Sequence, residues 1–187
     1  MFERAVFLDL NGTLVMPILV DHPNQLRPIT GVGPAVARLS AAGFTCPVVT
    51  IQSRIAKGLF SMEQFLTWFG SFSAELAEAG GRVVGPYVCP HRFKDRCECK
   101  KPSPFLYERA AKDHGLDLRR SFVIGDSAAD VESAHRFGGR GCLVRTGYGE
   151  DDREVARAKP YAAVIADSFP DAVNWVLAQP VNGRERS

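Results

Sequence analysis

The stretch AVFLDLNGTLV, residues 5–15, decides how this chain is read. Residues 5–9 form an apolar run that ends on the carboxylate of Asp9, and Gly12 follows at once, the pattern of a buried strand entering a tight turn. Such a turn presents one carboxylate at the C-terminal end of a strand. Asn11 stands two residues beyond it, an amide where phosphate chemistry would lead one to expect a second acid.

Outward from this strand, similar short apolar runs recur at 44–50, 83–88, 122–126 and 141–144, with a weaker one at 163–166. Helical spacing lies between them: Val32, Val36 and Leu39, then Phe65, Phe69, Phe72 and Leu76. Ser61 and Gln64 form a capping-box signature ahead of the second of these helices. A third helix is expected with Ser103 as N-cap, Pro104 at its first position and Gly115 as its stop. Strands alternating with helices predict an α/β fold, a Rossmann-like doubly wound parallel sheet with helices on both faces. Pro47 cannot donate a ladder hydrogen bond inside the second strand, so a bulge or a later strand start is expected there.

With 187 residues, 45% hydrophobic and 24% charged, the chain is long enough for one well-buried core. The expected domain spans residues 1–179, followed by a mobile tail over 180–187. Basic and acidic residues number 23 and 21, too even a balance for nonspecific nucleic-acid binding. No apolar run approaches a membrane span and no basic-then-apolar leader opens the chain, so a cytoplasmic monomer is expected, with no membrane or nucleic-acid partner. Of five cysteines, three fall in residues 89–99 beside a histidine, which fits metal ligation better than a disulfide framework. Cys46 and Cys142 lie in strand patterns and read as inert core thiols.

In doubly wound sheets ligands lie beyond the carboxyl ends of the strands. Four strand ends here carry chemistry: Asp9, Asn11 and Thr13; Thr50, Gln52 and Ser53; the cysteine loop running on to Lys100 and Lys101; and Gly125, Asp126 and Asp130. Taken singly, Asp9 could merely cap a turn, Asp126 and Asp130 could cap a helix, and Lys101 could be a solvated surface lysine. Their order and their shared position at strand ends argue for one site.

This assembly resembles the haloacid dehalogenase-like phosphatases, whose signature is D-x-D-x-T, a strand ending in Ser or Thr, a Lys, and G-D-x-x-x-D. The resemblance implies that Asp9 is the nucleophile forming an aspartyl-phosphate, that Thr50 and Lys101 hold phosphoryl oxygens, and that Asp9, Asp126 and the main-chain carbonyl of Asn11 ligate Mg²⁺. The segment CPHRFKDRCEC, residues 89–99, offers Cys89, His91, Cys97 and Cys99, three thiolates and one imidazole suited to a closed structural Zn²⁺ site. Placed directly before Lys100 and Lys101, this loop makes the chain similar to the heptose 1,7-bisphosphate phosphatases and the related histidinol-phosphate phosphatase domains. That similarity adds Gln52, Ser53 and Lys100 as substrate contacts, with Arg54 and Lys57 as candidates for a second phosphate. No large cap domain fits between residues 15 and 50 or between 53 and 101.

Departures from the family pattern cluster at the site. Leu10, Ile51 and Arg54 stand where the heptose bisphosphate enzymes usually have Arg, Asn and Gly, and Ser127 replaces a lysine. Residue 11 is the general acid and base in such enzymes, and an asparagine has no proton to exchange near neutrality. Two functions follow. One is a Mg²⁺-dependent phosphomonoesterase for a phosphorylated, heptose bisphosphate-like sugar or related metabolite, slowed by Asn11. The other is a catalytically silenced member that binds a sugar phosphate or a protein partner.

Overall fold

A computed structural model describes residues 3–180. The tail expected over 180–187 therefore lies, beyond Pro180, outside the described residues. Six parallel strands form the central sheet: β1 (Val6–Leu8), β4 (Pro47–Ile51), β5 (Val84–Cys89), β6 (Phe122–Gly125), β7 (Arg140–Val144) and β8 (Ala162–Ala166). Their order is β5-β4-β1-β6-β7-β8, so successive strands are added outward on one side of β1 and then on the other. The two outward-running halves leave a crevice beyond the C-terminal ends of β4, β1 and β6, the place where such sheets hold ligands. A small antiparallel pair, β2 (Val15–Met16) and β3 (Arg27–Pro28), folds over this end and was not anticipated from the sequence.

β1 is buried on both sides, as a central parallel strand must be. Val6 and Leu8 point into a core with α1 (Val32–Ala41), α3 (Met62–Glu78) and α7 (Phe169–Leu177), while Phe7 points the other way, into a core with α4 (Phe105–His114). There its ring lies 5.2 Å from that of Tyr107, edge on. α5 (Ala128–Phe137) and α6 (Asp152–Ala158) cover the same face further along, around Val131, Leu143 and Val155.

Local signals explain the boundaries. The capping box at α3 is formed: the Gln64 N–H donates to Ser61 Oγ at 3.1 Å and the Ser61 N–H to Gln64 Oε1 at 2.8 Å. α4 ends at Gly115 as expected, but its regular part begins at Phe105, with Pro104 already in helical geometry at the N-cap. Ser103 still does a cap's work, because its hydroxyl accepts from the Phe105 N–H at 3.3 Å. At Pro47 both alternatives hold: β4 starts at that residue and its register against β5 shifts between Pro47 and Val49. Pro86 sits in β5, an edge strand, where a missing donor is tolerated. Cys46 and Cys142 are buried in the core, and burial pushes both thiols up to about 12. No helix among the described residues is long and apolar enough to cross a membrane.

Candidate active site

β1 delivers Asp9 to the crevice, its N–H held by the Ile124 carbonyl of β6 at 3.0 Å. β6 delivers Asp126, and the first turn of α5 delivers Asp130. One carboxylate oxygen from each of the three lies within 4.8 Å of the others, and all three residues are buried. Lys101 enters from the end of the cysteine loop and donates to Asp9 Oδ1 and Asp130 Oδ1, both at 2.6 Å. Burial alone would pull this ammonium down, yet Asp130 and then Asp9 outweigh it and hold it well above its ordinary range.

Three buried carboxylates against one ammonium leave an excess of negative charge. Burial first, then Asp9 and Asp130, push Asp126 up to about 9; Asp9 itself is raised to about 6 by burial, with Lys101 opposing. Hard carboxylate oxygens short of positive charge fit a divalent cation such as Mg²⁺. The main-chain carbonyl of Asn11 accepts no hydrogen bond among the described residues and is available beside them. Gly12 and Gly147, with φ of 90° and 57°, close against Asp126, where a Cβ on either would collide with its carboxylate. The Tyr148 N–H donates to Asp126 Oδ2 at 2.8 Å and fixes it.

Asn11 is held at both ends of its amide. Its Nδ2 donates to the Ile18 carbonyl at 3.1 Å, and its Oδ1 accepts from Gln52 Nε2 at 2.7 Å. Gln52 Nε2 also donates to Thr50 Oγ1 at 3.0 Å, joining the ends of β1 and β4. Thr13 Oγ1 donates to Asp9 Oδ2 at 3.2 Å. The role of helix cap considered for Asp130 is also real: its Oδ2 accepts from the N–H and hydroxyl of Ser127 at 3.2 and 2.5 Å, while its Oδ1 takes Lys101.

At the second cluster, Cys89 Sγ lies 3.8 Å from Cys97 Sγ and 3.7 Å from His91 Nδ1, which is 3.2 Å from Cys99 Sγ. A tetrahedron with Zn–S bonds of ~2.3 Å has S···S edges of about 3.8 Å, so the four atoms suit a closed zinc site.

A family model for HAD-hydrolase-like proteins matches residues 98–172. The D-glycero-beta-D-manno-heptose-1,7-bisphosphate 7-phosphatase of Vibrio cholerae is 34% identical over 95% of this chain and 98% of its own length. The chain belongs to the haloacid dehalogenase-like phosphatase family. The Pseudomonas aeruginosa enzyme of the same name is 35% identical over 95% of this chain and 99% of its own. Among solved structures, the D,D-heptose 1.7-bisphosphate phosphatase of B. bronchiseptica, complexed with magnesium and phosphate, superposes with a TM-score of 0.84 at 29% identity, covering 93% of this chain and 98% of that one.

Within this family fold, a cavity of ≈ 530 Å³ opens above the carboxylates. Asp9, Asn11, Thr50, Ser53, Lys57 and Lys101 all line it, as do Asp126 and Asp130. Arg54 does not; its guanidinium pairs with Asp21 at 3.1 Å. Lys100 reaches the cavity, but its ammonium donates to the carbonyls of Arg92 and Phe93 at 2.6 Å and of Asp95 at 3.0 Å, stitching the cysteine loop. Leu10, expected beside the substrate, is fully buried in the core and lines no part of the cavity, whereas Ile51 does. Tyr148, Glu154 and Arg157 line the cavity unannounced. The sequence carried one signal for them: Gly147 and Gly149 follow the end of β7, a further strand end at the same crevice.

Proposed function

We propose that the protein is a Mg²⁺-dependent phosphomonoesterase that acts through an aspartyl-phosphate on Asp9, on a phosphorylated sugar or related small metabolite. The observation that carries this reading is Lys101, whose ammonium lies 2.6 Å from both Asp9 and Asp130 at the floor of the cavity. A carboxylate attacks a phosphate dianion only where their repulsion is cancelled, and a buried ammonium in contact with the nucleophile does part of that. Asp9, Asp126 and the Asn11 carbonyl would hold Mg²⁺, which supplies the remaining neutralisation of nucleophile and phosphoryl oxygens.

The chain's own groups divide the remaining work. Thr13, donating to Oδ2, and Lys101, donating to Oδ1, fix the plane of the Asp9 carboxylate from which attack on phosphorus would come. Thr50 donates its hydroxyl to a phosphoryl oxygen, and Asp130 anchors Lys101. Ser53 and Lys57 would border the leaving group, whereas Gln52, expected as a substrate contact, is buried outside the cavity lining and acts through Asn11 and Thr50. Cys89, His91, Cys97 and Cys99 would bind Zn²⁺ and order the loop that leads directly into Lys101. The relatives' names support a sugar phosphate as substrate class.

A second reading, a silenced member that binds without turnover, is favoured by Asn11, whose amide bonds Ile18 and Gln52 and carries no titratable proton. Phosphate release from a panel of sugar phosphates with Mg²⁺, for wild type, Asn11→Asp and Asp9→Asn, separates the two. Turnover above the Asp9→Asn level on at least one substrate supports the enzyme. Wild type equal to Asp9→Asn on all of them, with retained binding, establishes the silenced form.

A further inference from the structure

The walls of the cavity are unlike its floor. Ile18, Leu19, Ile51, Phe93, Ala129 and Tyr148 line it, and three of these are large side chains left in water: Leu19 at 58%, Phe93 at 92% and Tyr148 at 48% exposure. A lone exposed apolar residue means little, but several gathered at the mouth of one charged cavity mark a surface that a ligand covers. The Phe93 ring is steadied by the Lys100 ammonium 5.6 Å from its centroid.

Positive charge, by contrast, is already committed. Lys101 belongs to Asp9 and Asp130, Lys100 to three carbonyls, and Arg157 to Glu154 at 3.0 Å. Among the described residues that line the cavity, Lys57 is the one cation without a partner, and it is exposed. A second phosphate would find a single solvated lysine.

Acid groups are committed as well. Both oxygens of Glu154 accept hydrogen bonds, Oε1 from the Ala128 N–H at 2.6 Å and Oε2 from Arg157 Nη1 at 3.0 Å. Asp9, Asp126 and Asp130 surround the cation site and Lys101, and the Asn11 amide has no exchangeable acid proton. A leaving alkoxide would depart without a proton from any carboxyl group of the cavity.

From the apolar mouth, the lack of a second cationic subsite and the missing acid, we propose that the site takes a singly phosphorylated substrate whose phosphate sits directly on a ring and leaves as a weakly basic oxygen. Anomeric sugar phosphates and aryl phosphates share this chemistry. The proposal rests on the phosphatase reading above. In the first step an Asp9 oxygen bonds to phosphorus, the bond from phosphorus to the ring oxygen breaks, and the electron pair stays on that oxygen, which takes its proton from solvent. Water then attacks the aspartyl-phosphate, the bond to Asp9 breaks to return its carboxylate, and the water proton leaves with the phosphate. A hemiacetal or phenolate oxygen departs unaided far more readily than a primary alkoxide, and the ring lies against Phe93 and Tyr148.

The test is kcat/KM with Mg²⁺ for phenyl phosphate, p-nitrophenyl phosphate, glucose 1-phosphate, glucose 6-phosphate and fructose 1,6-bisphosphate. Ring-borne monophosphates are expected to exceed the primary ester by about 10² to 10⁴, the usual worth of general acid assistance. The better of the aryl and anomeric arms identifies which source the site prefers. Asn11→Asp should raise the primary ester and close most of that gap, and Phe93→Ala should raise KM severalfold for the ring-borne substrates while leaving kcat near wild type. Tyr148→Phe should keep the same order of substrates; if it erases the preference, Tyr148 is the acid and the proposal is wrong. A primary ester or bisphosphate as good as the ring-borne monophosphates overturns the proposal and leaves the phosphatase reading standing. No release from any substrate above the Asp9→Asn control removes both.

Discussion

The two ligand clusters of this chain meet one requirement, the neutralisation of crowded negative groups, in opposite settings. Asp9, Asp126 and Asp130 are buried at the ends of rigid strands and at the start of a helix, with Lys101 among them and a cavity above. Cys89, His91, Cys97 and Cys99 lie where β5 runs into a loop, and three of the four are only partly buried. Under the proposed assignment the first set would leave coordination positions open, as chemistry requires, whereas the second would close on its ion. Under that assignment scaffold would precede metal in one case, and metal would precede structure in the other. They meet across a single residue, because Cys99 and Lys101 are separated only by Lys100.

The sharpest way to break the contrast is Lys101→Met. It leaves Asp9 and Asp130 buried without their counter-charge, and breaking such a pair costs about 3–5 kcal/mol. Thermal unfolding should show that loss, and phosphate release should fall to the Asp9→Asn background. Added Mg²⁺ should recover part of the stability and none of the activity.

Removing Zn²⁺ should act differently. With Cys97→Ser or a strong chelator, far-UV circular dichroism should stay close to that of the native protein, since the sheet and its helices do not depend on the loop. Limited proteolysis should open within residues 90–99, metal content should fall from near one zinc per chain, and turnover should drop as the backbone leading into Lys101 loosens. Lys100→Met should give a weaker version of the same phenotype, because it removes three carbonyl contacts from the loop but leaves the ligands in place. A charge-assisted hydrogen bond is worth about 1.5–3 kcal/mol, less where solvent competes, so protease sensitivity should rise without loss of zinc.

Gln52→Ala is the smallest change and probes the carboxylate side alone. It frees the Asn11 carboxamide oxygen and the Thr50 hydroxyl, a loss of about 1 kcal/mol, and kcat/KM should change by less than tenfold with zinc content untouched.

The sequence made the six strands legible because each centres on a short apolar run between helical segments, even β5 with its Gly85 and Pro86, and it made the charged floor legible because its members follow strand ends at fixed places. It made the cysteine loop legible because four soft ligands fall within eleven residues. What it hid depends on partners far along the chain. Arg54 looked free for phosphate until Asp21 was found against it, and Lys100 looked like a substrate contact until three loop carbonyls were found around its ammonium. Leu10 looked like part of the site, but alternation along β1 turns it into the core while Asp9 faces the crevice. The β2–β3 pair is two residues on each side, too short for any periodic signal, and Tyr148, Glu154 and Arg157 reach the cavity from beyond β7, where Gly147 and Gly149 are the one cue.

The central claim is that Asp9 carries the phosphoryl group. It is tested most directly by quenching the enzyme in acid during turnover of an activated phosphate ester and mapping the phosphorylated peptide by mass spectrometry. A phosphoryl adduct on Asp9 that requires Mg²⁺, is absent from Asp9→Asn and decays as free phosphate appears is the expected result. Phosphate release that persists in Asp9→Asn, or an adduct on another residue, would contradict the account.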